Sequence, residues 1–83
     1  MKLHWSNISK RVGWDKRTVE YPTMARVGEL HDNMLSCDAD ALVELLTYHR
    51  FLSSPETEEQ REISNAIASL IKTGRELIEQ GYF

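Results

Sequence analysis

The stretch from Ser53 to Phe83 constrains the fold more than any other part of the chain, because its apolar residues repeat with a helical period and both of its ends are marked. Ile63, Ala66, Ile67, Leu70, Ile71, Gly74, Leu77 and Ile78 recur at i, i+3, i+4 and i+7 spacings, which puts them on one stripe. Arg61, Glu62, Asn65, Ser69, Lys72, Arg75, Glu76 and Glu79 fall on the opposite side. Ser54 suits an N-cap and Pro55 the first helical position, Glu56, Glu58 and Glu59 set negative charge against the positive helix end, and Gly81 stops the run. A helix over 55–80 is expected. It cannot bury its stripe alone, so the rest of the chain or a second copy must cover it.

The preceding segment, 22–52, supplies a matching stripe. Pro22 breaks whatever comes before it, and Thr23 can cap a new helix. Met24, Val27, Gly28, His31, Met34 and Leu35 form its apolar face, with Leu30 at the margin. Ser36-Cys37-Asp38-Ala39-Asp40 is a run of poor helix formers in which Asp38 could act as N-cap. Yet the stripe resumes in register at Leu42, Leu45, Leu46, His49 and Leu52. Continuous phase favours one helix, with or without a kink near Asp38, and a three-helix arrangement with a true break there is the alternative. At 1.5 Å per residue the two helices would span roughly 45 and 39 Å. Joined by Ser53-Ser54, they are expected to form an antiparallel all-α hairpin. Tyr48 and Phe51 lie off its seam and need a second cover, from residues 1–21 or from a sister hairpin that would complete a four-helix bundle.

Residues 1–21 form a basic, aromatic head. Leu3, Trp5, Val12, Trp14, Val19 and Tyr21 carry its apolar bulk without a long helical period. A short helix capped by Ser6-Asn7 and running to Val12 is favoured over two brief strands. Both tryptophans are read as packing residues. Gly74 and Gly28 lie on the two apolar stripes and admit a close neighbour, and one tryptophan is expected against one of them. The Gly81-Tyr82-Phe83 tail is expected to be docked.

At 83 residues the chain is read as a single domain, 1–83. So short a chain buries only roughly 60% of the surface its unfolded form exposes, which makes dimerisation or partner binding a reasonable expectation. No apolar run approaches a membrane span and no leader is evident, so a cytoplasmic location is expected. Cys37 is the only cysteine, and packing alone must hold the fold.

The net charge of −3 is unevenly spread: five basic residues against two acidic up to Glu20, then five against eleven. Within the basic head, residues 8–19 resemble the core of a helix-turn-helix unit, with Ser9 as the small residue, Gly13 at the turn, Asp15 as cap and Val19 turned inward. By that resemblance Lys16, Arg17 and Thr18 would face DNA, with Lys10 and Arg11 nearby. Pro22 falls where the recognition helix should continue, so a unit over 6–21 would be truncated. A small dimeric DNA-binding regulator is therefore the alternative reading, and a capped turn with solvated basic residues the simpler one.

Nothing in the chain has the spacing of a catalytic constellation, and neither an enzymatic activity nor a cofactor is expected. His31 and Asp38 would share one helical face two turns apart, and His49 lies further along, but a third ligand for a metal is lacking. The favoured reading is a non-enzymatic, protein-binding helical module, an inhibitor or adaptor of the kind that phages and other mobile elements encode. It would occlude a site on another macromolecule, such as a nucleic-acid-binding protein. Glu58, Glu62, Glu76 and Glu79 are the leading contact residues, with Tyr48 and Phe51 beside them.

Overall fold

A computed structural model of the chain describes residues 4–12 and 19–83. Its described elements are α1 (Trp5–Arg11), α2 (Met24–Leu35), α3 (Ala39–Phe51) and α4 (Glu58–Glu79). The fold is all-α, but the expected pair of long helices is replaced by four helices among the described residues.

The difference arises at Ser36–Asp38, where the expected long first helix divides. Cys37 adopts φ 65°, a left-handed conformation that cannot continue an α-helix. The Asp38 N–H donates to the Asn33 carbonyl at 3.0 Å and the Cys37 N–H to the Met34 carbonyl at 3.1 Å, the paired bonds of a Schellman C-terminus. Asp38 then starts α3, its carboxylate accepting from the Asp40 N–H at 3.0 Å. In-phase apolar residues on either side of the break do not require one helix. Both halves face the same α4, and each needs only its own stripe to point there.

Freed from α3, α2 turns slightly from the expected orientation. Val27, Leu30 and Met34 are buried, and Leu30, read as marginal, is 1% exposed. Met24 and Leu35, expected in the seam, are 45% and 40% exposed, and Gly28 is exposed too. The apolar arc of α2 is wider than the surface available to cover it.

The last helix begins later than Ser54-Pro55 suggests. Thr57 is its N-cap, the hydroxyl accepting from the Gln60 N–H at 3.0 Å, and the Gln60 side chain reaches back to accept from the Glu56 N–H at 2.8 Å. This is a variant of the capping box, which outcompetes a serine followed by proline because it satisfies two orphan donors instead of one. Glu58 and Glu59 occupy the first turn, whereas Glu56 lies outside the helix. The stripe is otherwise as expected: Ile63, Ile67, Gly74 and Ile78 are buried and Ala66, Leu70, Ile71 and Leu77 pack at its edges. At the far end the Tyr82 N–H donates to the Leu77 carbonyl at 2.9 Å and the Gly81 N–H to the Ile78 carbonyl at 3.0 Å, with Gly81 at φ 76°. A second Schellman motif thus ends α4.

The core gathers Leu42, Leu45 and Leu46 of α3 with the buried faces of α2 and α4, and Ile8 of α1 closes it from the side. Full burial of each large aliphatic contributes about 1.5–3 kcal/mol. Gly74 meets Met34 near the end of α2, while Ala66 lies by Met24 and Val27 near its start, so α2 and α4 run in the same direction with α3 antiparallel between them. Among the described residues, no tryptophan occupies the glycine sites. A Cβ on Gly74 would lie 2.7 Å from a Leu42 methyl and 3.0 Å from the Met34 sulfur, whereas one on Gly28 would meet nothing within 4 Å. Trp5 instead lies under the Arg75 guanidinium, 5.3 Å from ring centroid to Cζ, and Trp14 falls outside the described residues.

The head is helical over Trp5–Arg11, but that helix is capped at His4 without a side-chain bond, so Ser6-Asn7 lies inside it. Val19 forms an isolated parallel bridge with Leu52, and the Tyr21 hydroxyl donates to the Ser53 carbonyl. These contacts tie the chain ahead of α2 to the α3–α4 connection. No described helix is long and apolar enough to cross a membrane.

Candidate protein-binding surface

Glu58, Glu62, Glu76 and Glu79 all stand exposed on α4. At 100° per residue Glu58, Glu62 and Glu76 line up within roughly 40° on the face opposite the buried stripe, and Glu58 to Glu76 spans roughly 27 Å. Glu79 sits to one side, 3.8 Å from Arg75 in an i,i+4 pair. The four are therefore a row of three with a fourth, partly neutralised member at its flank.

Tyr48 and Phe51, expected off the seam, are half-buried and pack against the core. Burial raises the Tyr48 phenol above its usual pKa, and the nearby Glu44 carboxylate adds to the shift. Glu44 also receives the Arg26 guanidinium as a fork, at 2.9 Å and 3.1 Å, while the same group reaches Glu29 at 3.0 Å. Hydrogen bonding to Glu44 raises the Arg26 pKa further. Arg26 is thereby committed to the α2–α3 side of the molecule.

Other arginines are similarly engaged. Arg11 pairs with Asp40 across the α1–α3 contact, and Arg50 donates to the Ser9 hydroxyl at 2.7 Å. Lys10 is exposed, so of the residues placed near DNA by the helix-turn-helix resemblance one is free in the solvent and one is held in an ion pair. Lys16 and Arg17, with the turn at Gly13, lie outside the described residues.

Two concavities lie among the described residues. At the α3–α4 corner a cavity of about 170 Å³ is lined by Tyr48, His49, Leu52, Ser54, Ser64 and Ile67. That is below the roughly 300 Å³ at which ligand pockets begin. Between α2 and α4 a shallower apolar groove of about 280 Å³ is lined by Met24, Val27, Gly28, His31, Ala66 and Leu70, with Ser69 at its edge. His31 thus belongs to this groove, and the helix break separates it from Asp38, with which it was expected to share a helical face. His49 is exposed beside the other cavity. No three His, Cys, Asp or Glu side chains cluster as metal ligands among the described residues.

The groove went unrecognised in the sequence because its α2 wall was assigned to the core. The signal was there in Gly28: a small residue on an apolar stripe marks a gap as readily as a tight contact. Comparison of the chain with protein-family models, curated proteins and solved structures finds no match.

Proposed function

We propose that the chain is a non-enzymatic helical binding module that acts as an inhibitor or adaptor, docking onto another macromolecule and occluding a site there. The observation that carries this reading is the outward row of Glu58, Glu62 and Glu76 on a helix whose other face is locked into the core. A rigid row of carboxylates roughly 27 Å long can compete for a basic groove that gains its own affinity from phosphate charge. Glu79 flanks the row beside Arg75, and the exposed edges of Tyr48 and Phe51 supply apolar contact on the neighbouring helix.

The test is affinity capture from the native host, identification of the bound protein, and calorimetry with the purified partner. Charge reversal at Glu58, Glu62, Glu76 and Glu79 should abolish binding, and affinity of the unmodified chain should fall with added salt. Unchanged affinity of the reversed variant would remove the electrostatic mechanism. Light scattering on the isolated chain separates a monomeric docking module from a dimeric four-helix bundle, the other assembly consistent with its exposed apolar surface.

A further inference from the structure

The α2–α4 groove is the least explained surface of the molecule. Met24, Gly28, His31 and Leu35 follow one another at i, i+4, i+7 and i+11 along α2, so the exposed apolar line continues roughly 16 Å, or three helical turns. Met24, Leu35 and Tyr82 are the exposed large hydrophobics among the described residues, and the Tyr82 hydroxyl donates to the Leu35 carbonyl, which places the third at the end of the line made by the first two. Ala66 and Leu70 form the opposite wall. Among the described residues nothing lies within 4 Å of a Cβ placed on Gly28. The groove has the length and shape to take one helix laid along it, with bulk inserted over the glycine.

Charge selects which helix. Glu62 stands one turn before Ala66, Asp32 one turn after Gly28, and Glu76 follows on the same outward row. Among the described residues Arg26 and Arg75 turn away: Arg26 is forked on Glu44, and Arg75 lies over Trp5 on the far side of α4. Helical phase sets Lys72 and Arg61 roughly 60° and 80° round α4 from Ser69 at the groove's edge, on the outer side of Glu62 and Glu76. The walls are apolar and the rims acidic.

We infer that this groove receives a basic amphipathic helix of the partner protein, its apolar stripe over Gly28 and its Lys or Arg side chains on Glu62, Glu76 and Asp32. The inference rests on the docking function proposed above and adds the partner's local chemistry. Helix-in-groove binding of this kind takes its affinity from the apolar anchors and its orientation from the charged rims.

The probe is a helical peptide of about 14 residues, built from leucine at i, i+3, i+4 and i+7 and lysine elsewhere. It is titrated into isotope-labelled protein and compared with the same peptide carrying glutamate for lysine. The expected result is amide shifts centred on Gly28, His31 and Leu70, no binding of the glutamate peptide, and about tenfold weaker binding to Gly28→Gln. Gly28→Gln has room in the fold, and Met24→Gln gives a second, independent reading of the same wall. Shifts spread along the outer face of α4, equal binding of the two peptides, or unchanged affinity in both variants would each overturn the inference. So would a protein dimer dissolved by Gly28→Gln, which would make a second copy the occupant. With the native partner, retained binding to Gly28→Gln but not to the charge-reversed α4 overturns the groove and leaves the docking function standing. Retained binding to both overturns the groove and the electrostatic role of the α4 row together.

Discussion

Cys37 and Tyr82 bind the ends of two helices to each other: the Cys37 thiol donates to the Tyr82 carbonyl at 3.4 Å, and the Tyr82 hydroxyl donates to the carbonyl of Leu35, two residues before Cys37. Each residue belongs to a Schellman terminus, and the carbonyls of Leu35 and Tyr82 are not among those the motifs satisfy, so neither contact competes with them. The docked tail expected from Gly81-Tyr82-Phe83 therefore has a definite partner. It is the same break that divides α2 from α3.

The left-handed φ of Cys37 makes the break tunable. A non-glycine residue in that conformation costs about 1–2 kcal/mol relative to glycine. Cys37→Gly relieves the strain but loses the thiol contact and gains unfolded-state entropy. A net stabilisation of about 0.5 kcal/mol is expected from these opposing terms. Cys37→Val, with branching at Cβ, should lose about 1–2 kcal/mol. Tyr82→Phe removes one half-exposed hydrogen bond and should lose about 0.5 kcal/mol. Urea unfolding of the three variants checks the order. A stabilised Cys37→Val would show that the break is held by something other than this turn.

Gly74 and Gly28 should respond to alanine with opposite signs. Both lie inside helices, where alanine gains about 1 kcal/mol over glycine. At Gly28 nothing opposes that gain, because a Cβ meets nothing within 4 Å. At Gly74 it meets Leu42, which is fully buried and cannot move freely, at 2.7 Å. Overpacking of this kind costs about 1–3 kcal/mol, which outweighs the gain and leaves a net loss of about 1 kcal/mol. Thermal melts should rise for Gly28→Ala and fall for Gly74→Ala. The same sign at both sites would refute the packing assigned here.

These two glycines also show how far the sequence could be read. Their positions on apolar stripes were plain, as were the helical periods of α2, α3 and α4 and the capping capacity of Asp38. What periodicity cannot report is the width of the surface that meets a stripe. Leu30 and Gly28 lie on either side of the same arc of α2, and only the placement of α3 and α4 decides that Leu30 is buried and Gly28 open. The break at Cys37 was hidden for a related reason: phase survives a turn when both flanking helices pack on a common neighbour. The acidic row on α4 was legible because exposure follows directly from opposing the stripe. The groove was not, since it exists only between two helices.

Thr57 is the clearest test of where α4 starts. Loss of its hydroxyl leaves the Gln60 N–H without its acceptor, and Thr57→Ala should destabilise by about 1 kcal/mol. Ser54, which the sequence alone offers as the cap, is exposed and precedes the helix, so Ser54→Ala should stay within about 0.5 kcal/mol of the parent. Chemical denaturation of both variants is sufficient. A larger effect at Ser54 than at Thr57 would move the helix start back to Pro55.

Tyr48 gives the fold an alkaline limit. Its folded-state pKa is raised, chiefly by burial and then by Glu44, so the native state holds the phenolic proton more tightly than the unfolded chain does. By linkage the associated stability is fully present below the unfolded phenol value of about 10, and it is lost as pH rises through the higher folded value. Denaturant midpoints should decline more on that alkaline limb for the parent chain than for Tyr48→Phe. Parallel limbs would mean that the ring is solvated in solution.

The basic head supplies the test between protein and DNA as partner. Arg11 is held by Asp40, and Ile8 and Val12 are buried against the body, so α1 serves the core before it serves any ligand. Lys10 is the one cation of α1 without an ion pair among the described residues, so duplex binding would have to come from the segment carrying Lys16 and Arg17. Each phosphate contact steepens the dependence of log affinity on log salt by about 0.9. Toward duplex DNA a docking module should show no such slope and no retardation at low salt. Affinity that falls steeply with salt and disappears in Lys16→Ala/Arg17→Ala would reverse the assignment, because the acidic face of α4 repels phosphate and cannot be its source.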